Sequence, residues 1–361
     1  MILPYLDYRP DIAGRPELAA RAVVIGRTTS GAGLVLRNYA TVRADGESIR
    51  IGERVFFGER ACVHIADSVY STTIGDDVTV ARYGLVHACV LGEGTVIAEG
   101  GVVMDAAEVG PHSLIGPGAM VSPRKKLPGG WVYEGNPAKA VREISRAELL
   151  QLAQSIRQDA PAPELRYEFL PPLDNTGYLS AGIAGDGLHR LAGKEPVVHG
   201  YVAETALLMG DVRIAAGSGV YFACVLKADG GRIAIGERSN VQDSSILETR
   251  GANLDIAEGV TVGHNVRMGS GSVAEEALIG MGSIVGDGVV VERGGCVGAG
   301  AWVEPGTVIK AGWIWAGRPA RPFREMKPSE RDGFAIGRSV YVNYARAYSE
   351  FQKSTAAAGQ G

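Results

Sequence analysis

His64 and His87, two of the six histidines in this 361-residue chain, each follow a valine, Val63 and Val86. Neutral imidazole nitrogens bind zinc at about 2.0–2.1 Å, so two imidazoles brought side by side begin a metal site. A third histidine, His264, stands two residues after Val262, whereas Arg82 stands two residues after Val80. The four cysteines, Cys62, Cys89, Cys224 and Cys296, are far apart and show no C-x-x-C spacing. They read as small buried hydrophobes in a reducing compartment, not as a disulfide framework.

The elements that must position these side chains show in a six-residue period. Apolar residues recur at Leu91, Ile97, Val103, Val109, Ile115 and Val121, and again at Val273, Ile279, Val285, Val291, Val297, Val303 and Ile309. Six is neither the 3.6-residue period of a helix nor the long alternation of an ordinary strand. It marks a β-solenoid in which three hexapeptides make one triangular coil. Coils stack at about 4.8 Å, the spacing of strands in a sheet. The 51 glycines fit the tight corners such coils require.

The unit occurs twice. Ile51-Gly52-Glu53-Arg54 matches Ile235-Gly236-Glu237-Arg238, Arg43-Ala44-Asp45 matches Lys227-Ala228-Asp229, and Gly135–Lys139 matches Gly317–Arg321. The loop after His64 is two residues longer than the loop after Glu248. With that insertion removed, His64 and His87 fall one coil apart on one face, about 4.8 Å apart along the axis. Position 82 lies on a different face and cannot join them within one solenoid.

The predicted fold is all-β with α-helical appendages: two parallel β-helix domains, each followed by a helix. The boundaries are 1–145 for the first β-helix, 146–195 for a helix and a Pro/Gly-rich linker, 196–325 for the second β-helix, and 326–361 for the closing helix and tail. Ser145 and Glu148 form a capping box ahead of Leu149, Leu152, Ala153 and Ile156. Pro161, Pro163, Pro171 and Pro172 mark an extended segment. The stretch 175–194 is aperiodic and reads as the least ordered part of the chain, and the closing helix spans about 329–351. A net charge of −4 without a basic block gives nucleic-acid binding no support. No signal peptide or membrane-length apolar run is evident, so the expected compartment is the cytoplasm, with no membrane partner.

Both halves resemble γ-class carbonic anhydrases within the left-handed β-helix, hexapeptide-repeat group. The resemblance rests on Arg43-Ala44-Asp45, Ile51-Gly52, His64, His87-Ala88-Cys89 and the run Gly135–Arg142 in the first half. In the second half it rests on Gly210–Val212, Lys227-Ala228-Asp229, Ser239–Asp243 and Val262–His264. It implies left-handed coiling and a metal held by three histidines, the middle one supplied across a trimer interface. Carried over by position, the first half keeps the first and third ligands, His64 and His87, with Arg82 in the middle place. The second half has Glu248 and Gly269 at the outer places and keeps the middle ligand, His264. Neither half completes the site from copies of itself; together they do.

What this implies is one three-histidine site of His64, His87 and His264 holding zinc, with iron as the alternative. Three histidines and an open position are the catalytic arrangement, in which a metal lowers the pKa of water towards about 7. Gln242 is the candidate for positioning the nucleophile, beside Asp243. Arg43 with Asp45, and Arg82 with Glu248, are the candidate interface ion pairs. The expected reaction is CO2 hydration or attack on a related small electrophile. One alternative is a CoA-dependent acyltransferase, with His87 as base and Lys125, Lys126 and Lys139 along the CoA arm. Another is a non-catalytic assembly protein. A small-molecule substrate and a homo-oligomer are expected, with three chains able to form pseudo-trimeric rings.

Overall fold

The structure is a computed structural model that describes residues 1–160, 165 and 185–358, apart from the side chains of 355–358. Contacts divide the chain into two compact units, Met1–Pro171 and Pro172–Gly361. The four linker prolines and half of the 175–194 stretch, 175–184, lie outside the described residues.

The first unit is a parallel β-solenoid with three faces. The face that carries the histidines stacks Cys62–His64, Leu85–His87, Val102–Val103 and Met120–Val121. The second face stacks Thr72–Ile74, Val90–Leu91, Glu108–Val109 and Lys126–Leu127, and Thr41–Ile51 runs through the corner to join it to the first. The third face runs from Glu17–Leu18 to Trp131–Glu134 and is closed by the antiparallel strand Lys139–Glu143. Val24, Val42, Val63, Val86, Val103 and Val121 point inward from the first face, and all are buried. Phe57, Val80, Ile97 and Ile115 fill the core from the third. This architecture fits a left-handed β-helix: the solenoid follows the six-residue period, and the hand is the one that the family resemblance implies.

Corner residues take left-handed backbone angles. Tyr39, Arg60 and Tyr83 occupy one corner in successive coils at φ of 61°, 54° and 56°. Gly100 and Gly118 continue the column at 62° and 63°. Side chains enter this region at a steric cost of about 1–2 kcal/mol, offset here by amide bonds to the preceding coil, such as Arg60 N–H to Asn38 O at 3.0 Å. Helix α1 (Arg146–Arg157) follows, with the Ser145 side chain accepting from the Glu148 amide. Leu149 and Leu152 bury its apolar side against Val96, Leu114 and Val132.

The second unit repeats the plan. Ile246–Arg250, Arg267–Met268, Ile284–Val285 and Trp302–Val303 form its first face, with Val225–Ile235 running through the corner. Its third face stacks Tyr201–Val202 to Trp313–Gly317 and is closed by Ala320–Glu325. The described end of the 175–194 stretch is ordered, contrary to the expectation. Gly187–His189 pairs with Leu207–Met209, and Leu191 bridges Lys194. These match Ile2–Leu3 on Val24–Ile25 and the Tyr5–Tyr8 bridge of the first unit. The segment is a second copy of the N-terminal cap, which covers the otherwise open end of the stack. Helix α2 (Pro328–Ala358) closes the unit, with Tyr344, Ala345 and Tyr348 buried. Among the described residues, no helix is long and apolar enough to cross a membrane.

Candidate metal centre

His64 and His87 stand directly opposite each other in register, following Val63 and Val86. The corner then turns at Ala88, φ 48°, whose amide donates to His64 O at 3.0 Å. The ring centroids are 5.3 Å apart, and His64 Nδ1 lies 3.3 Å from His87 Nε2. Both side chains are buried. The two-residue insertion loops out as a small hairpin in which Ala66 and Tyr70 exchange backbone hydrogen bonds, and Thr72 Oγ1 then donates to His64 O. The insertion therefore leaves the histidine register intact.

The outward nitrogens are each held by a carboxylate. His64 Nε2 lies 3.0 Å from Asp45 Oδ1, and His87 Nδ1 lies 2.6 Å from Asp105 Oδ1. Asp45 is itself fixed by Arg43, both wholly buried. A carboxylate accepts, so the imidazole nitrogen facing it carries the proton and the opposite nitrogen carries the lone pair. His64 Nδ1 and His87 Nε2 thus face each other on the sides turned away from the carboxylates, and two acceptors so placed are relieved by a cation between them, a proton or a metal ion. Two nitrogens on one tetrahedral zinc stand about 3.3–3.4 Å apart, given Zn–N of about 2.0–2.1 Å. The observed 3.3 Å fits that span. The residues present suit a metal ion.

Other polar groups of the first unit are accounted for differently. Burial, and then the Asp45 carboxylate, push the Tyr5 phenol well above its ordinary pKa. Burial likewise pushes the Cys89 thiol well above its ordinary pKa. Arg82 pairs with Glu99 of the next coil at 2.9 Å. Lys125, Lys126 and Lys139 are exposed, and Lys126 meets Glu108 at 2.8 Å.

In the second unit the same positions carry different chemistry. Glu248, in the place of His64, is buried and accepts from Lys227 Nζ at 2.9 Å, with Arg250 at 3.4 Å. Asp287, in the place of Asp105, accepts from the amide and hydroxyl of Ser270. His264 is fully buried, one coil beyond Asp243, and its Nδ1 lies 3.2 Å from Asp243 Oδ2. Asp243 Oδ1 accepts the Phe222 amide at 3.0 Å. His264 Nε2 lies 3.0 Å from the Tyr341 hydroxyl of α2. Gln242 is buried on the third face and donates from Nε2 to Asn240 Oδ1 at 3.0 Å.

Two residues were missed from the sequence. Asp105 stands two positions after the inward Val103, so the hexapeptide register already placed it beside His87 in the next coil. Tyr341 carried no such signal, because the rotation of α2 about its axis is set by packing.

No protein-family model matches the chain. It is 36% identical over 165 residues to "Gamma carbonic anhydrase 1, mitochondrial" of Arabidopsis thaliana, an alignment covering 43% of this chain and 60% of that protein. The chain therefore spans less than two thirds of that relative's length. It is 39% identical over 164 residues to "Carbonic anhydrase" of Geobacillus kaustophilus, covering 45% of this chain and 90% of the relative. Among solved structures, a hexapeptide transferase family protein from Anaplasma phagocytophilum is 32% identical, at TM-score 0.41, covering 45% of this chain and 98% of that one.

Proposed function

The chain belongs to the γ-class carbonic anhydrase family, and from that premise we propose that it is a metal-dependent enzyme that hydrates CO2 or a related small electrophile. His64 and His87 of a first-type unit supply two ligands, and His264 of a second-type unit supplies the third. The second-type unit belongs either to the same chain or to another copy. The observation that carries the reading is the pair of facing imidazole nitrogens 3.3 Å apart, each ring locked from behind by a carboxylate. Zinc, or iron, bound there would make a nucleophile available from water at neutral pH.

The chain's own residues then have separable tasks. Asp45 and Asp105 fix the tautomers of His64 and His87, and Asp243, 3.2 Å from Nδ1 of His264, favours one tautomer there. A locked imidazole spends no rotamer freedom on binding, which is how outer carboxylates raise metal affinity. Gln242, with one amide hydrogen committed to Asn240, is held in one orientation and can present its remaining polar atoms to the reacting water. The acyltransferase alternative has less behind it, since its three lysines are exposed and Lys126 is paired with Glu108.

Elemental analysis of the purified protein beside His64→Ala and His264→Ala tests the proposal. One metal per complete site, lost in both variants, is the expected result, followed by CO2 hydration that depends on that metal. Metal-free wild type, or retention of metal in either variant, overturns the shared site. Saturable CoA binding would then favour the transferase reading.

A further inference from the structure

His264 has both ring nitrogens engaged inside the second unit. Asp243, pinned by the Phe222 amide, sets its Oδ2 3.2 Å from Nδ1, and a carboxylate facing that nitrogen favours the neutral tautomer with its proton on Nδ1 and its lone pair on Nε2. That lone pair receives the Tyr341 hydroxyl at 3.0 Å. Tyr341 is held in place: Tyr221 OH donates to its backbone carbonyl at 2.5 Å, and the two rings meet edge to face at 5.1 Å. Tyr344 packs against it at 5.6 Å from the next turn of α2. Tyr348 stacks on Tyr201 and meets Phe222, so the helix is anchored independently of the phenol.

An sp2 nitrogen offers one lone pair, which takes a hydroxyl proton or a metal ion but not both. We propose that Tyr341 is a positioning residue that plugs the ligating nitrogen of His264, so that metal loading requires the phenol to step aside while α2 stays seated. The inference rests on the reading of His264 as a ligand. It adds that the closing helix of the second unit sets the affinity of the site. The hydrogen bond holds the imidazole in the ligating tautomer before metal arrives, and its loss is part of the cost of loading.

The test is zinc affinity of the full-length protein, stripped with a chelator and titrated against a chromophoric competitor, for wild type, Tyr341→Phe, Tyr221→Phe and His264→Ala. Tyr341→Phe should bind zinc about 2- to 13-fold tighter, the range spanned by one net hydrogen bond. Tyr221→Phe loosens the seat but keeps the phenol, and should move affinity the same way by less. Zinc should also shift the near-ultraviolet tyrosine absorption of wild type, and that component should vanish in Tyr341→Phe. Zinc binding by Tyr341→Phe where wild type binds none also supports the plug. If His264→Ala weakens binding but both tyrosine variants match wild type or bind less tightly, the plug is wrong and the ligand assignment stands. If His264→Ala binds as wild type does, or no variant binds zinc, the ligand assignment and the plug fall together. Should Tyr341→Phe not fold, Tyr221→Phe and the absorption shift decide.

Discussion

The two units share a core and differ at their corners. Val63, Val86 and Val103 have Leu247, Met268 and Val285 as counterparts, all buried and all apolar. The outward neighbours are unlike: His64 against Glu248, His87 against Gly269, Arg82 against His264. Inward residues must fill the prism with apolar volume, and exchanges such as Val63 for Leu247 or Phe57 for Val241 stay within that chemistry. Corner residues are selected only by what they meet across the coils. The first unit spends those positions on two imidazoles backed by Asp45 and Asp105, and pairs Arg82 with Glu99. The second spends them on an ion cluster around Glu248 and one imidazole between Asp243 and Tyr341. A duplicated solenoid can thus carry different corner chemistry in each copy while both cores stay apolar.

The strongest way to break the comparison is to give the second unit the first unit's residues. Asp229 and Asp287 already stand in the places of Asp45 and Asp105, and Gly269 has no left-handed φ to bar a side chain. The triple substitution Arg82→His, Glu248→His, Gly269→His should double the metal bound per chain, read by elemental analysis. An unchanged stoichiometry would mean that the corner is not interchangeable.

Next in size is the core that both share. Phe57→Ala should destabilise the first unit by about 3–5 kcal/mol in denaturant titration. Phe57→Val, the residue found at 241 in the second unit, should cost less. Equal losses would show that the two cores are not equivalent at this level. The carboxylates sharpen the contrast further. Asp105→Asn should weaken metal binding by about 10- to 100-fold, the usual cost of losing an outer partner of a ligand. Asp287→Asn, whose acid serves Ser270, should leave it unchanged.

The smallest effect concerns pH. Arg324, followed by the Lys327 amide, holds the Glu330 carboxyl down to about 2 from an ordinary 4.5. A depressed folded pKa contributes stability that is complete above about 4.5 and lost as pH falls towards about 2. Arg142 depresses Glu148 in the first unit in the same sense. Glu330→Gln should flatten the acid limb of a melting-temperature profile slightly, since both groups are partly exposed and screened.

Much of this was legible in the chain itself. The six-residue period determined both solenoids, because inward apolar residues cannot drift from that spacing and remain inside. It also placed His64 over His87 once the insertion was set aside, and it could have supplied Asp105 and Glu99 by the same count. The N-terminal caps were not legible. Gly187–His189 is too short to show any period and is defined by the edge it covers. Tyr341 was not legible either, because a helix with tyrosines at 341, 344 and 348 says that a face is buried but not which hydroxyl meets which nitrogen.

The loop between Ile65 and Thr72 has a further consequence. The stack behaves like a reading frame: each coil must advance by whole steps, or every inward side chain downstream turns to solvent. Two extra residues are nevertheless absorbed there by a hairpin that closes on itself at Ala66 and Tyr70. That corner is where the frame is suspended. It is the natural port for a peptide tag or new chain termini, whereas deleting a single residue within Leu85–His87 would be a frameshift in three dimensions.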